Sequence, residues 1–293
     1  MANQNQSAEQ PGLPATRKYA DKQSLPFQAW MIQKKRKQRN EVIDKLKALI
    51  NSLFSAGEQG AFYIPRPIVN GAQALFQDAA GTVPVTADGD PVGKMLDQSG
   101  NGNHATQSTS AKRPIYRTDG TLHWLEPDGV DDAMLATNQA FNLNVFTAAM
   151  AVKLSGTFNA RVFDSRGTGE PGVVGFHIKP FNNNNNPFID DGSGTDDLSS
   201  SIETGTKVNL TQRNGVDPTI LRENGEQTVS DNAPASGSIL TSFDSVLFAN
   251  SNGQDSQLFG GRFYGGLVVG RYADTYTDEQ IESYLAGLSG VSL

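Results

Sequence analysis

The sequence contains few groups able to do chemistry. Cysteine is absent, which removes thiol nucleophiles, disulfides and Cys-ligated zinc. The only histidines are His104, His123 and His177. His123 and His177 stand inside apolar, strand-like runs and read as packed side chains. His104, in Asn101-Gly-Asn-His104, reads as a loop or strand-edge residue. There is no His-x-x-x-His pair, Walker loop or Gly-x-Ser-x-Gly elbow. Glycoside hydrolysis needs two carboxylates held about 5–10 Å apart across one cleft. The acid pairs Asp131-Asp132, Asp190-Asp191 and Asp196-Asp197 are adjacent in sequence, so on a strand they would face opposite ways, and all lie in glycine-containing turn contexts. The expectation is a protein that is not an enzyme. The competing expectation, a polysaccharide-degrading appendage, would rest on an acid such as Asp190 or Asp197.

Two oxygen-rich segments are the most specific features. In Met95–Gln107, Asp97 and Ser99 can accept from turn amides, Gly100 and Gly102 permit positive φ, and Asn101 and Asn103 add amide groups. In Leu125–Met134, an Asp128-Gly129 turn is flanked by acids on both sides. Both segments fit turns pinned by their own side chains. Their density of hard oxygens also fits a Ca²⁺ site, although neither has EF-hand or RTX spacing.

The elements that must position these segments are short strands. Thirty Gly and 14 Pro punctuate a chain of 293 residues with 37% hydrophobic content, a composition that disfavours a helical bundle. Strands are predicted at Gly60–Ile64, Leu122–Leu125, Phe146–Leu154, Arg161–Phe163, Val173–Ile178, Lys207–Leu210, Ser245–Ala249 and Gly261–Gly270. Phe146–Leu154 is nearly apolar throughout, which predicts a central strand covered on both faces. Asn224-Gly225, between Thr219–Arg222 and Glu226–Val229, is a strong hairpin signal. The run Asn182–Asn186 reads as a loop tip. Helices are expected only at the ends: residues 25–54, with Ser24 as N-cap and Gly57 as stop, and Asp278–Ala286, capped by Thr277 and Gly287. So many strands without alternating helices predict a mainly β fold, a two-sheet antiparallel sandwich with an N-terminal α-helix and a short C-terminal helix.

Charge divides the chain. The net charge is −7, yet residues 1–56 carry an excess of Lys and Arg, leaving a strongly acidic remainder that is a poor main ligand for nucleic acid. The start has no apolar h-region and no window is apolar enough to cross a membrane. The predicted division is an arm and basic amphipathic helix over residues 1–56 and a β domain over 57–293. Within the helix, Phe27, Trp30 and Met31 form one apolar cluster. Lys34, Lys35, Arg36 and Lys37 lie in an eight-residue run without an apolar side chain. Leu46, Leu49 and Leu53, with Val42, then follow heptad-like spacing. These residues are the expected docking element, through which the body would be carried on a larger assembly. The competing reading is a solvated helix face packed on its own domain.

Three stretches resemble a known group. Asp97–Gln107, Arg113-Pro-Ile-Tyr116 and Pro127-Asp-Gly-Val-Asp-Asp132 are similar to the opening of a concanavalin A-like, laminin-G-like jelly-roll domain. Gly261–Val269 and Thr277–Leu288 resemble its closing strand and helix, and Ala74–Thr86 is similar to the version found in structural proteins of tailed bacteriophages. The likeness covers about residues 60–293, with Pro127 standing where the family usually has Phe. It implies a non-enzymatic virion protein, made in the host cytoplasm and carried in the particle as a homo-oligomer. Its partners would be other virion proteins (capsid, portal, tail or fibre) held through residues 1–56, and its displayed domain would engage host-surface glycan. A decoration or connector protein binding no glycan is the alternative. The resemblance makes Tyr116, Trp124 and Tyr264 candidates for stacking on sugar, and Asp97, Asn101, Asp128 and Asp131 candidates for Ca²⁺.

Overall fold

The computed structural model describes residues 25–139, 145–154, 161–166, 175–181, 184–190, 195–197, 200–201, 205–213, 219–231, 243–249 and 258–293. Two compact units divide the chain, Met1–Asp44 and Lys45–Leu293.

The second unit is a β-sandwich of two antiparallel sheets, as the strand pattern predicts. The first sheet has eight strands in the order Glu226–Asp231, Thr219–Glu223, Thr206–Arg213, Phe146–Leu154, Gly261–Val269, His123–Glu126 and Ile115–Thr118, with Gly60–Tyr63 also paired to Gly261–Val269. The second sheet has ten strands, among them Phe163–Arg166, Phe243–Leu247, Met134–Gln139 and Ala105–Thr106. Phe146–Leu154 is central, and its alternation explains its apolar run. Phe146, Ala148, Met150 and Val152 enter the core between the sheets. Ala149 and Ala151 enter a second core on the opposite face.

That second core is closed by helices. α1 (Leu25–Phe54) sends Leu46, Leu49, Leu53 and Phe54 into it, and α2 (Thr275–Ser289) sends Ile281, Leu285, Ala286 and Leu288. The spacing of three and four residues puts the α1 leucines on one stripe, and that stripe is consumed by the body's own sheet. This corrects the expectation that Leu46, Leu49 and Leu53 dock on a partner. The compact unit these leucines join begins at Lys45. The helix ends where Arg271 Nη1 donates to Ser52 O at 2.7 Å and Gly57 takes φ 86°.

A bulge sets the phase of the closing strand. Val152 pairs with Phe263 but Ala151 pairs with Gly265, so Tyr264 is the extra residue. Phe263 therefore faces the core between the sheets while Tyr264 joins the helix-covered core. The Asn224-Gly225 turn is present, with φ of 49° and 88°, the values a tight hairpin needs. Two local expectations fail. Asn184–Asp190 is a strand paired with Gly175–Phe181, so most of the Asn run lies in a ladder rather than at a loop tip. α2 starts at Thr275 because the Asp274 side chain accepts from Thr277 N at 2.8 Å. It runs past Gly287 to a left-handed cap at Gly290.

Candidate functional site

The Asp97 segment is a clip. Asp97 Oδ1 accepts from Phe62 N at 2.8 Å and Ser99 N at 2.9 Å, and its Oδ2 accepts from Ser99 Oγ at 2.7 Å and Asn103 N at 3.1 Å. Asn101 Nδ2 donates to Glu58 O and Gly60 O, and Asn103 Nδ2 donates to Gly60 O at 2.7 Å. His104 Nδ1 accepts from Asp97 N at 3.1 Å, and burial with Lys94 nearby holds its pKa below the ordinary value. Both carboxylate oxygens of Asp97 are committed to holding the loop against the first strand. Asp97 and Asn101 are therefore corrected from metal candidates to turn-pinning residues.

Asp128 and Asp131 lie in a different loop, where Asp132 joins them. One oxygen of each lies within 4.8 Å of the others. Asp128 Oδ1 accepts from Val130 N at 2.8 Å, Asp131 N at 3.1 Å and Asp132 N at 3.3 Å, and Asp132 Oδ2 accepts from Asp128 N at 2.9 Å. Burial pushes the Asp132 carboxyl up to about 6, with the charges of Asp128 and Asp131 adding to it. Ca²⁺ takes about six to eight oxygens. With these two side chains already engaged by amides, the cluster does not make up such a shell by itself. The four predicted metal residues do not converge on one site.

The aromatic candidates are internal. Tyr116 is 3% exposed, Trp124 7% and Tyr264 2%. Tyr116 packs in the core between the sheets, where its hydroxyl lies 2.6 Å from His123 Nδ1. Burial, with Arg66 nearby, lowers the His123 pKa. Trp124 and Tyr264 face each other in the helix-covered core with ring centroids 6.0 Å apart. None offers a free face for a sugar to stack on, which corrects the expectation. His123 is packed as predicted. The side chains of His177, Asp190, Asp197, Phe27 and Lys35 lie outside the described residues.

The strand order instead builds a site that motif reading misses. An open cleft of about 310 Å³ lies at one end of the helix-covered sheet, lined by Glu126, Pro127, Asp128, Lys153, Gly260, Gly261 and Arg262. Lys153 and Arg262 are direct partners on neighbouring strands. Phe263 pairs with Leu125, which puts Glu126 one step along the same ladder, beside Arg262. Asp128 and Gly260 form an isolated bridge that continues the wall. Gly261 is required in the floor: a Cβ there would lie 2.4 Å from Lys153 O and 2.8 Å from a Phe259 ring carbon. The Arg262 guanidinium sits 4.3 Å from the Trp124 ring centroid, a cation–π contact that holds it at the cleft. Glu126 is engaged by Arg117 Nε at 2.9 Å. Among the described residues, neither Lys153 nor Arg262 has a carboxylate within ion-pair distance. The signal that could have found this cleft is the strand register, which joins positions more than a hundred residues apart.

The sequence matches no protein-family model and no curated protein sequence. Solved structures share its fold. One is domain 4 of AbnA, a GH43 extracellular arabinanase from Geobacillus stearothermophilus, in complex with arabinotriose. It matches with a TM-score of 0.50 at 11% identity over 64% of this chain and 91% of that one. A GH54 α-L-arabinofuranosidase soaked with a cyclic sulfate inhibitor matches with a TM-score of 0.53 at 17% identity over 82% of this chain and 64% of that one. A botulinum neurotoxin type C structure, described as dependent on two ganglioside molecules for cell entry, matches with a TM-score of 0.50 at 10% identity. It covers 82% of this chain and 53% of that one. The chain thus spans about half to two thirds of the last two. At these identities the likeness is one of fold: the body of this chain is a β-sandwich of the kind seen in AbnA domain 4 bound to arabinotriose.

Proposed function

We propose that the chain is a non-enzymatic structural protein of a phage virion, attached through its N-terminal arm and the first half of α1, and displaying a lectin-like sandwich toward host-surface glycan. The observation that carries this reading is the contrast within α1. Its second half is rooted in the body's core. Its first half leaves Trp30 52% and Ile32 55% exposed, with Lys34, Arg36 and Lys37 also exposed. Lys34 Nζ lies 5.2 Å from the Trp30 ring centroid. Exposed apolar and cationic groups on one rooted helix suit an acidic partner surface with an apolar groove. The resemblance of the version preceded by Ala74–Thr86 to structural proteins of tailed bacteriophages supports a virion as the assembly, and neighbours seen with sugars support a glycan as the target.

Replacing Trp30 with Ala and reversing Lys34, Arg36 and Lys37 to Glu in the full chain should abolish incorporation into particles while leaving the thermal melt unchanged. Undiminished incorporation refutes the docking role. The burial of Tyr116, Trp124 and Tyr264 favours one further reading, a decoration or connector protein that binds no glycan. A glycan array probed with the full chain separates the two: specific, saturable binding rejects the purely architectural version.

A further inference from the structure

Lys153 and Arg262 are like charges placed directly opposite each other on neighbouring strands, an arrangement that costs stability in a sheet. Glu126 sits where it could neutralise Arg262, yet it is held by Arg117, which also lies 3.6 Å from Asp88. The two cations therefore stand uncompensated by any described carboxylate in a body whose overall charge is strongly negative. One of them rests over an indole, a contact that holds the guanidinium without neutralising its charge. A planar fork beside a flexible ammonium is the geometry that receives a carboxylate. The rest of the wall has the opposite character. Glu126 and Asp128 bring acceptors within the same cleft, suited to hydroxyl donors and repellent to a run of carboxylates. We infer that this cleft binds an acidic saccharide, taking one sugar carboxylate between Lys153 and Arg262 and neighbouring hydroxyls on Glu126 and Asp128. This rests on the glycan reading above and deepens it by naming the site and the charge of the sugar. A polyanionic peptide is disfavoured by the acids that line the same wall.

The test is titration calorimetry of the full chain with uronic-acid and sialic-acid oligosaccharides, each paired with its carboxyl-reduced counterpart, and with poly-glutamate. Lys153 is exposed, so Lys153→Gln should leave the melt unchanged, while Arg262→Gln removes the guanidinium that lies over Trp124 and its melt is measured alongside. Each should weaken an acidic oligosaccharide about tenfold or more, as expected for a lost charge-assisted hydrogen bond. Carboxyl reduction should do the same, and added salt should weaken wild-type binding. Binding of neutral and acidic sugars alike, unaffected by either variant, overturns the cleft while leaving the glycan reading intact. Binding of acidic sugar that neither variant weakens also overturns it, by placing the site elsewhere. Poly-glutamate binding as tightly as the acidic sugar overturns the saccharide assignment. Failure of every saccharide to bind removes both readings together.

Discussion

Leu53 and Trp30 belong to the same helix and should respond oppositely to truncation. Leu53 is fully buried and packs with Leu49, Ile281, Leu285 and the helix-facing side of the first sheet. Removing its isobutyl group forfeits transfer free energy and leaves a cavity between a helix and a sheet that cannot close over it. Leu→Ala at such a site costs about 3 kcal/mol, within a range of roughly 2–5. For a cooperative unit the size of Lys45–Leu293, about 1 kcal/mol moves Tm by roughly 2–4 °C. Leu53→Ala should therefore lower Tm by about 6–12 °C in a circular-dichroism melt of the full chain, and Leu49→Ala by a similar amount. Trp30, half exposed, leaves no cavity when truncated. Trp30→Ala should stay within about 2 °C of wild type, as surface substitutions do. Should Leu53→Ala melt like Trp30→Ala and lose only particle incorporation, the leucine stripe would be a docking seam after all and the root of α1 would have been misplaced.

Asp97→Ala strands the amides of Phe62, Ser99 and Asn103 that its carboxylate now accepts, so a loss of about 3 kcal/mol or more is expected in urea unfolding. EDTA should not reproduce that loss. Asp278 is buried and pushed up to about 6 by desolvation, although Gln212 Nε2 donates to it at 2.8 Å. Its folded pKa lies above the unfolded value, so the native state binds the extra proton between about pH 4 and 6, and stability falls as pH rises through about 6. Asp278→Asn should stabilise the protein at pH 8 by up to about 3 kcal/mol and do little near pH 4, as read from Tm against pH. Glu282 is 1% exposed and takes Arg222 Nε at 3.1 Å and Nη2 at 2.9 Å, joining α2 to the outer hairpin of the sheet. Glu282→Ala takes away the carboxylate that half-buried Arg222 grips, although Arg222 Nη2 still donates to Gly225 O, and should cost about 1.5–3 kcal/mol in urea unfolding.

Much of the architecture could be read from local pattern because local physics decides it. Phe146–Leu154 must be apolar at every position if both its faces are covered, and Asn224-Gly225 must carry positive φ if two strands meet across two residues. The stripe of Leu46, Leu49 and Leu53 announced a buried face, but amphipathic spacing says only that a partner exists, and here the partner is the same chain's sheet. Thr277 and Asp274 are both good caps for α2 by residue type, and the structure decides for Asp274, whose carboxylate reaches Thr277 N. The Asp97 motif fits a turn or a cation site by residue type alone, and only the structure shows its oxygens taken up by its own turn. Lys153, Arg262 and Glu126 carried no signal at all. Each is an ordinary charged residue at a strand end, and only the register of the closing strand brings them together.

The covering of the first sheet also limits where this sandwich can recognise anything. An exposed sheet face is a natural binding platform, and Trp124 and Tyr264 stand on the face that would have served. That face is closed by α1 and α2, whose leucines are held there by a continuous apolar core. Opening it to admit a ligand would expose the same side chains whose burial fixes the root of α1. A ligand reaching this part of the body would therefore meet it beyond that core, at a strand end lined by polar side chains. The cleft lies at such an end, and Arg262 belongs to both regions: its guanidinium lies over the buried indole and lines the opening. The packing that makes the aromatic residues unavailable for stacking leaves a cation at the cleft, so a ligand taken there would be held by charge rather than by ring contact.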